Sequence, residues 1–184
     1  MTVVSEGRWT APRTDCPHPE RWHSTDPQST ELEVSELVGA FVRALQPDYV
    51  IETGTCIGQT AWMIGAALRD NGQGRLDTIE YEPDRAVAAR ASCDGLPVTV
   101  HAMDTMRFVP AGQIGFAWFD SETHLRVPEF LRFRSWFAPG AIAGFHDTGP
   151  HKGSWSDEIL ALPGCRAIRL PTPRGVTFLE VVEP

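Results

Sequence analysis

The feature that most constrains the fold is an apolar segment that runs through an acid into a glycine-containing turn and then into a helix. Residues 49–52 have the pattern of a buried strand, residues 53–58 form the turn, and residues 60–68 have the pattern of a helix. A second strand follows at Arg75–Glu80 and also ends in an acid. Because ligands bind at the carboxyl ends of strands in open α/β sheets, this unit predicts one half of a nucleoside-binding site.

The turn indicates which kind of nucleoside fits. Dinucleotide sites use the pattern Gly-x-Gly-x-x-Gly, whose middle glycine lets the backbone approach a pyrophosphate. Here Cys56 stands at that position between Gly54 and Gly58, which disfavours a nicotinamide dehydrogenase. A phosphate loop needs a lysine after its second glycine, and the only lysine of the chain is Lys152. The turn is compatible with a nucleoside that carries an amino acid and no phosphate, or with a tight turn that binds no ligand.

The remaining chain alternates between strand and helix patterns. A capping box from Thr30 to Glu33 predicts the start of the first helix. Later strands are predicted at residues 97–101, 116–120, 141–145, 165–170 and 176–182, and later helices at 84–92, 126–137 and 156–162. This α/β alternation predicts a doubly wound, Rossmann-like fold with a mainly parallel seven-stranded sheet. The last two strands are joined by a short turn, so they are expected to form an antiparallel C-terminal hairpin.

Composition limits the organisation and the partners. The 184 residues, 42% of them hydrophobic, suffice for one domain at residues 29–184, and residues 1–28 are predicted to be an irregular arm that covers its cleft. The net charge of −8 argues against nucleic acid, and no apolar run has the length of a membrane span. The first residues lack the pattern of a signal peptide, and the four cysteines are scattered, which favours a cytoplasmic protein with free thiols.

Four parts of the sequence carry a resemblance to a known family: residues 52–58, Glu80, Asp120 and residues 139–148. With them, residues 30–184 resemble the class I S-adenosylmethionine (SAM)-dependent methyltransferases, and within these the small bacterial O-methyltransferases. That group includes enzymes of antibiotic and sugar tailoring and is related to the catechol and caffeoyl-CoA enzymes. The resemblance implies that SAM is the cofactor and that residues 29–184 bind it.

The resemblance also implies which residues contact SAM. Glu80 would bind the ribose hydroxyls, Glu52 would lie near the ammonium group or hold the turn, and Met103 and Asp104 would contact the adenine. Tyr81 would pack near the adenosine or is an exposed turn residue, and Asp104 would otherwise cap the next helical turn. The full implied set is Glu52, Thr53, Gly54, Thr55, Cys56, Gly58, Glu80, Tyr81, Met103, Asp104 and Asp120.

Acids and histidines are expected to meet at the ends of the fourth and fifth strands. In metal-dependent relatives, carboxylates at these places hold a divalent ion, and the corresponding ligands here would be Asp120, His146 and Asp147. Mg²⁺ prefers oxygen ligands, whereas an imidazole shifts the preference toward Mn²⁺, Fe²⁺ or Zn²⁺. The resemblance therefore implies a divalent metal, Mg²⁺ or Mn²⁺, as an optional second cofactor whose identity is left open.

Catalysis is assigned to Asp120, His124 and His146. Relatives of the catechol type carry a lysine base shortly after the strand-four acid, and His124 is the substitute here. A histidine can take a proton from a hydroxyl at neutral pH, although both histidines could instead be structural. A solvent-exposed helix face is predicted for Arg126, Arg132 and Arg134.

The resulting prediction is an enzyme that methylates a hydroxyl of a small-molecule acceptor with SAM, with or without a divalent metal. Two alternatives stay open: an Fe²⁺-dependent hydroxylase on the same fold, and a non-catalytic SAM-binding module. The sequence predicts no nucleic-acid or membrane partner, and it leaves open whether the protein forms a homodimer.

Overall fold

The computed structural model describes residues 11–12, 22–24, 29–149 and 155–184. The strands are β1 (Ala11–Pro12), β2 (His23–Ser24), β3 (Tyr49–Thr53), β4 (Arg75–Glu80), β5 (Val98–Ala102), β6 (Ile114–Phe119), β7 (Phe137–His146), β8 (Cys165–Leu170) and β9 (Val176–Val181). The helices are α1 (Leu32–Leu45), α2 (Gln59–Asn71), α3 (Pro83–Ser92), α4 (Arg126–Phe133) and α5 (Trp155–Leu160), with 3₁₀ turns at Thr105–Arg107 and Arg134–Trp136. Most of the predicted arm, residues 1–28, lies outside the described residues, so its covering of the cleft stays a prediction.

One sheet of seven strands organises the chain, in the order β5-β4-β3-β6-β7-β9-β8. Strands β5, β4, β3, β6 and β7 run parallel, whereas β9 pairs antiparallel with both β7 and β8. The strand order reverses between β3 and β6, and ligands of open α/β sheets bind outside the carboxyl ends at such a point. The predicted fold class, a Rossmann-like doubly wound sheet with an antiparallel C-terminal hairpin, is confirmed.

Helices cover both faces of this sheet. In β6, Phe116 and Trp118 pack on the face covered by α1 and α2, while Ala117 and Phe119 pack on the face covered by α4. All four side chains are fully buried. Burial on both faces explains why such strands have continuous apolar runs and not an alternating pattern. None of the helices in the described part of the chain is long and apolar enough to cross a membrane.

The start of α1 differs from the prediction. Glu31 is its N-cap residue, and the Glu31 side chain makes no capping hydrogen bond. Thr30 instead donates its hydroxyl to Asp120 at 2.5 Å, and Glu33 accepts the backbone N–H of His23 at 3.2 Å. The predicted capping box is therefore wrong, because both of its side chains are bound by partners outside the first helical turn.

The predicted helix at residues 126–137 ends early. Helix α4 stops at Phe133, a 3₁₀ turn follows, and β7 already begins at Phe137. The pairing of β7 with the start of β6 contains a register shift, so β7 carries extra residues in a bulge. Pro139 and Gly140, predicted as a turn before the strand, lie in this bulge, where a proline without an N–H is tolerated.

Candidate active site

The carboxyl ends of β3, β4, β6 and β7 meet along one edge of the sheet and border a cleft of about 930 Å³. One end, which we call the glycine end, is lined by the turn after β3 and by residues 80–82 and 104–106. The other end, which we call the arginine end, is lined by residues 120–123 together with Ser29, Thr30, Arg126, Asp147 and Arg174.

Backbone geometry fixes the turn after β3. Gly54 has a φ of 79° and lies so close to the backbone of Asp120 that a side chain at this position would collide with it. The Gly54 N–H donates to the carbonyl of Ile79 at 2.9 Å, and the Asp120 N–H donates to the carbonyl of Thr53 at 2.9 Å. Cys56 also has a positive φ, of 51°, which few residues other than glycine adopt. The turn is therefore tied to both neighbouring strands, β4 and β6.

Glu80 places a rigid carboxylate at the glycine end. One of its oxygens accepts the backbone N–H of Cys56 at 2.7 Å, and the other accepts the N–H of Glu82 at 2.9 Å. The residue is buried and lines the cleft. Because each carboxylate oxygen can accept more than one hydrogen bond, Glu80 could also bind two neighbouring hydroxyls of a ligand.

Glu52 is linked to the turn after β3 through the hydroxyl groups of two threonines. The hydroxyl of Thr78 donates to Glu52 at 2.5 Å, and the hydroxyls of Thr55 and Thr78 are also 2.5 Å apart. Burial, together with the nearby carboxylates of Asp120 and Glu80, raises the pKa of Glu52 to about 8 although the bond from Thr78 opposes the shift. Glu52 is fully buried and is not among the residues that line the cleft. These contacts favour the local role of Glu52, as a protonated acid at neutral pH, over direct contact with a ligand.

The pKa of Glu52 leads to a prediction about stability. Between pH 4.5 and about 8 the folded state holds a proton that the unfolded state releases, so this residue makes the protein less stable as the pH rises. Glu52→Gln should remove this dependence and stabilise the variant over wild type by roughly 2–4 kcal/mol more at pH 8 than at pH 5. Urea unfolding at both pH values measures the difference. An equal effect at both pH values would mean that Glu52 ionises normally.

A second buried acid, Glu129, joins three segments beneath the cleft. It accepts hydrogen bonds from the hydroxyls of Thr53 at 2.8 Å, Thr105 at 2.5 Å and Ser121 at 2.7 Å. These residues belong to β3, to the 3₁₀ turn after β5 and to the loop after β6. Because three hydroxyls donate to its buried carboxyl group, Glu129 holds these loops together.

Two arginines converge on the carboxylates of the arginine end. Arg126 donates from one terminal nitrogen to Asp120 at 3.0 Å and to Asp147 at 3.2 Å. Its other nitrogens donate to backbone carbonyls in the loop after β6 and at the end of β7. Arg174, from the turn between β8 and β9, donates to both carboxylate oxygens of Asp147. The predicted exposure of Arg126 is therefore wrong, since its side chain is only 4% exposed.

His146 lies between two acids inside the protein. Its Nδ1 is 3.0 Å from Asp120 and its Nε2 is 2.7 Å from Glu31, and the residue has no exposed surface. Burial opposes the charged form, but these two carboxylates outweigh it and raise the pKa of His146 to about 9. The imidazole therefore carries hydrogen on both nitrogens at neutral pH and has no free nitrogen to accept a proton.

Neither of the two histidines predicted to act as a base lines the cleft, and their catalytic role stays a prediction. His124 is exposed, follows β6, and is not among the residues that line the cleft. His146 is likewise absent from the cleft wall and is bound on both sides. Of the three residues to which catalysis was assigned, only Asp120 lines the cleft.

The other predicted cofactor residues divide into two groups. Tyr81 and Asp104 line the glycine end, Tyr81 being 72% exposed and Asp104 accepting the N–H of Met106 at 2.9 Å as a cap of the 3₁₀ turn. Met103 packs against the core and does not line the cleft. Thr55 and Cys56 line it with Gly54, whereas Thr53 and Gly58 do not.

Several residues of the site were not predicted, namely Glu31, Gln59, Arg126, Glu129 and Arg174. For Arg126 and Glu129 the sequence held a signal, because both share one face of α4 with the buried Phe130 and Phe133. The others have partners that are distant in the chain, as for Gln59, whose amide donates to the carbonyl of Thr30 at 2.7 Å. No local pattern indicates such contacts.

The predicted metal ligands lie together, and each of them already has charged partners. Asp120, His146 and Asp147 each offer a ligand atom, and these atoms lie within 4.8 Å of one another. However, guanidinium groups already bind both carboxylates, and the imidazole is bound by an acid on either side. The site therefore supplies positive charge from its own side chains.

Comparison with known proteins agrees with this architecture. A family model described as a methyltransferase domain matches residues 51–148. The O-methyltransferase TomG from Streptomyces achromogenes, involved in tomaymycin synthesis and solved with SAM, is 20% identical over 85% of this chain and 83% of that chain, with a TM-score of 0.72. The methyltransferase PaMTH1 from Podospora anserina, bound to S-adenosylhomocysteine (SAH), is 15% identical over 85% and 81% of the two chains, with a TM-score of 0.75.

A third similar structure is the O-methyltransferase from Bacillus cereus in complex with SAH, 15% identical over 85% of this chain and 84% of that chain, with a TM-score of 0.72. Among curated proteins, no sequence matches the chain. The fold and the cleft thus define a Rossmann-like methyltransferase of class I. The chain belongs to the methyltransferase-domain family, whose model matches more than half of it, and the predicted class, a SAM-dependent methyltransferase, is confirmed.

Proposed function

We propose that the protein transfers the methyl group of SAM to a hydroxyl oxygen of a small molecule bound at the arginine end. The observation that carries this proposal is the position of Asp120. Its backbone contacts the glycine turn, while its carboxylate belongs to the arginine end. TomG and the Bacillus cereus protein, which share the fold, are O-methyltransferases by name, and this supports an oxygen acceptor.

Several features of the glycine end support the binding of SAM there. Glu80 would accept both ribose hydroxyls, the turn with Gly54 and Cys56 would contact the methionine part, and Tyr81 and Asp104 would flank the adenine. SAM supplies a methyl group that its sulfonium already activates. The residues of the chain therefore mainly have to align an acceptor oxygen with that methyl group, which is an effect of proximity and orientation.

Asp120 is suited to orient the acceptor. Burial would raise its pKa, but the charges of His146 and Arg126 outweigh burial and hold the pKa below the usual range. An ionised carboxylate accepts a hydrogen bond from the acceptor hydroxyl and so directs an oxygen lone pair toward the glycine end. Asp120 then takes the hydroxyl proton as the oxygen becomes methylated and passes it to solvent.

The iron-dependent hydroxylase and the non-catalytic SAM-binding module have less support. A non-haem iron hydroxylase usually needs two histidines and one carboxylate. Among the described residues, the candidate metal cluster contains one histidine, His146, and both of its nitrogens face carboxylates. A non-catalytic SAM-binding module would have no need for Asp120 in the cleft wall. A small-molecule acceptor agrees with the O-methyltransferases among the similar structures, while a homodimer and a cytoplasmic location stay predictions from the sequence.

Two measurements test the proposal. Calorimetric titration with SAM and SAH should show binding at the glycine end. Transfer from methyl-labelled SAM to a panel of phenols, sugars and hydroxylated natural products should then show turnover. Asp120→Asn should keep its affinity for SAH and lose methyl transfer by at least about a hundredfold, whereas Asp94→Asn, at an exposed position outside the cleft, should match wild type.

Each result has a distinct meaning. Binding of SAH without transfer to any acceptor would favour the SAM-binding module. Full transfer by Asp120→Asn would remove Asp120 from the mechanism but leave the methyltransferase class intact. Absence of SAH binding by a folded protein would contradict the assigned role of the glycine end.

A further inference from the structure

The arginine end contains a charge cluster, a group of acids and bases that bind one another. Among the described residues, its members are the carboxylates of Glu31, Asp120 and Asp147, the guanidinium groups of Arg126 and Arg174, and the imidazole of His146. None of these six side chains is more than 13% exposed. A divalent ion added to this cluster would place more positive charge beside two guanidinium groups in a poorly solvated place, which is costly.

Arg126 occupies the position that a shared ion would need. One of its terminal nitrogens lies between the two carboxylates, 3.0 Å from Asp120 and 3.2 Å from Asp147. Its Nε donates to the carbonyl of Ser121 at 2.8 Å, and its remaining nitrogen donates to the carbonyl of His146. Because all three nitrogens are bound, the guanidinium cannot move away for an ion without giving up four contacts inside the protein.

Arg174 closes the other side of Asp147. It binds both carboxylate oxygens and also donates to the carbonyl of Ser29 at 3.4 Å, which ties it to the segment before α1. An ion approaching Asp147 from the cleft would therefore meet a second cation. Both arginines line the same end of the cleft as Asp120.

We propose that the guanidinium of Arg126 takes the place and the role predicted for a divalent cation, so that this protein acts on its acceptor without a metal. The inference rests on the proposed methyl transfer. A fixed positive charge beside Asp120 would attract the acceptor oxygen and stabilise negative charge that develops on it as its proton leaves. Unlike a metal ion, Arg126 cannot accept the oxygen as a ligand, so it acts by charge and position.

The test compares Mn²⁺ binding with SAH binding by calorimetry. Wild-type protein treated with EDTA should contain no stoichiometric metal, should bind SAH as tightly as untreated protein, and should show no Mn²⁺ binding at the cluster. Arg126→Met should expose Asp120 and Asp147 and raise the affinity for Mn²⁺ by at least about tenfold, since the competing charge is gone. The matched control is Arg132→Met on the same helix, where the arginine donates to the carbonyl of Phe108 and does not line the cleft.

The outcomes separate this inference from the proposed function. One Mn²⁺ ion per wild-type chain, bound in a way that Asp147→Asn abolishes, would overturn the inference even if SAH binds. An unchanged Mn²⁺ affinity in folded Arg126→Met would also overturn it. If Arg126→Met does not fold, titration of the wild-type protein with Mn²⁺ still tests the inference. Failure of wild-type protein to bind SAH would instead contradict the proposed function, whatever the metal result.

Discussion

Glu80→Ala is expected to weaken SAH binding at least about a hundredfold, because hydrogen bonds to a charged group contribute roughly 1.5–3 kcal/mol each and two would be lost. The carboxylate is held in place before a ligand arrives, by the N–H groups of Cys56 and Glu82. Little side-chain freedom would therefore be lost on binding, and the two bonds to the ribose would contribute nearly in full. Calorimetric titration of SAH into wild type and variant measures the effect.

Two further variants test whether the loss of SAH binding is specific to the carboxylate of Glu80. Glu80→Gln keeps the shape of the side chain and loses its charge, so its affinity should lie between those of wild type and Glu80→Ala. Glu158→Ala removes an equal charge from an exposed position on α5 and should bind SAH like wild type. If Glu80→Ala bound SAH within a few-fold of wild type while remaining folded, Glu80 would be a support of the turn and not the ribose ligand.

Local patterns explain why much of the fold could be predicted from the sequence. Strand β4 and the turn after β3 are marked by apolar runs, glycines and terminal acids within a few residues of one another. A parallel sheet brings the carboxyl ends of its strands to one edge whatever the details of packing. Glu80, Asp120 and Asp147 could therefore be placed along one cleft from the sequence alone.

The charge cluster could not be predicted in this way, because its pairs join distant parts of the chain. Glu31 and His146 are 115 positions apart, and Arg174 reaches Asp147 from another turn. The sequence shows His146 and Asp147 as available ligands, whereas the fold supplies each with a partner. Of the residues in this cluster, Arg126 had a local signal, because it lies on the buried face of α4. Its charge led instead to the prediction that it is exposed to solvent.

A partner that is distant in the chain also explains why the predicted capping box is wrong. The Thr30–Glu33 pattern is typical of a helix start, but in the folded protein Asp120 lies close enough to accept the Thr30 hydroxyl. A charged acceptor forms a stronger hydrogen bond than a neutral backbone group does. The segment before α1 is thus bound to the rim of the cleft, which links the start of the domain to its candidate active site.

Glu31→Ala is expected to reduce the free energy of unfolding by about 3–5 kcal/mol at pH 7, because it breaks a buried ion pair and leaves the Nε2–H of His146 without its acceptor, with Asp120 as the remaining acid. Glu31 and His146 have no exposed surface, and 2.7 Å separates their bonded atoms. The acid keeps its charge in this place: burial would raise its pKa, but the imidazolium of His146 outweighs burial and lowers it. Urea unfolding of wild type and variant gives the difference.

The controls for Glu31 distinguish the buried pair from a general effect of charge on α1. Glu36→Ala removes an exposed acid from the same helix and should change stability by less than about 0.5 kcal/mol. Glu31→Gln can still accept a hydrogen bond from His146 and should be less destabilising than Glu31→Ala. Equal stability of Glu31→Ala and Glu36→Ala would show that His146 needs no second acid. The segment before α1 would then be held to the cleft mainly by the bond from Thr30 to Asp120 and by the contact between Ser29 and Arg174.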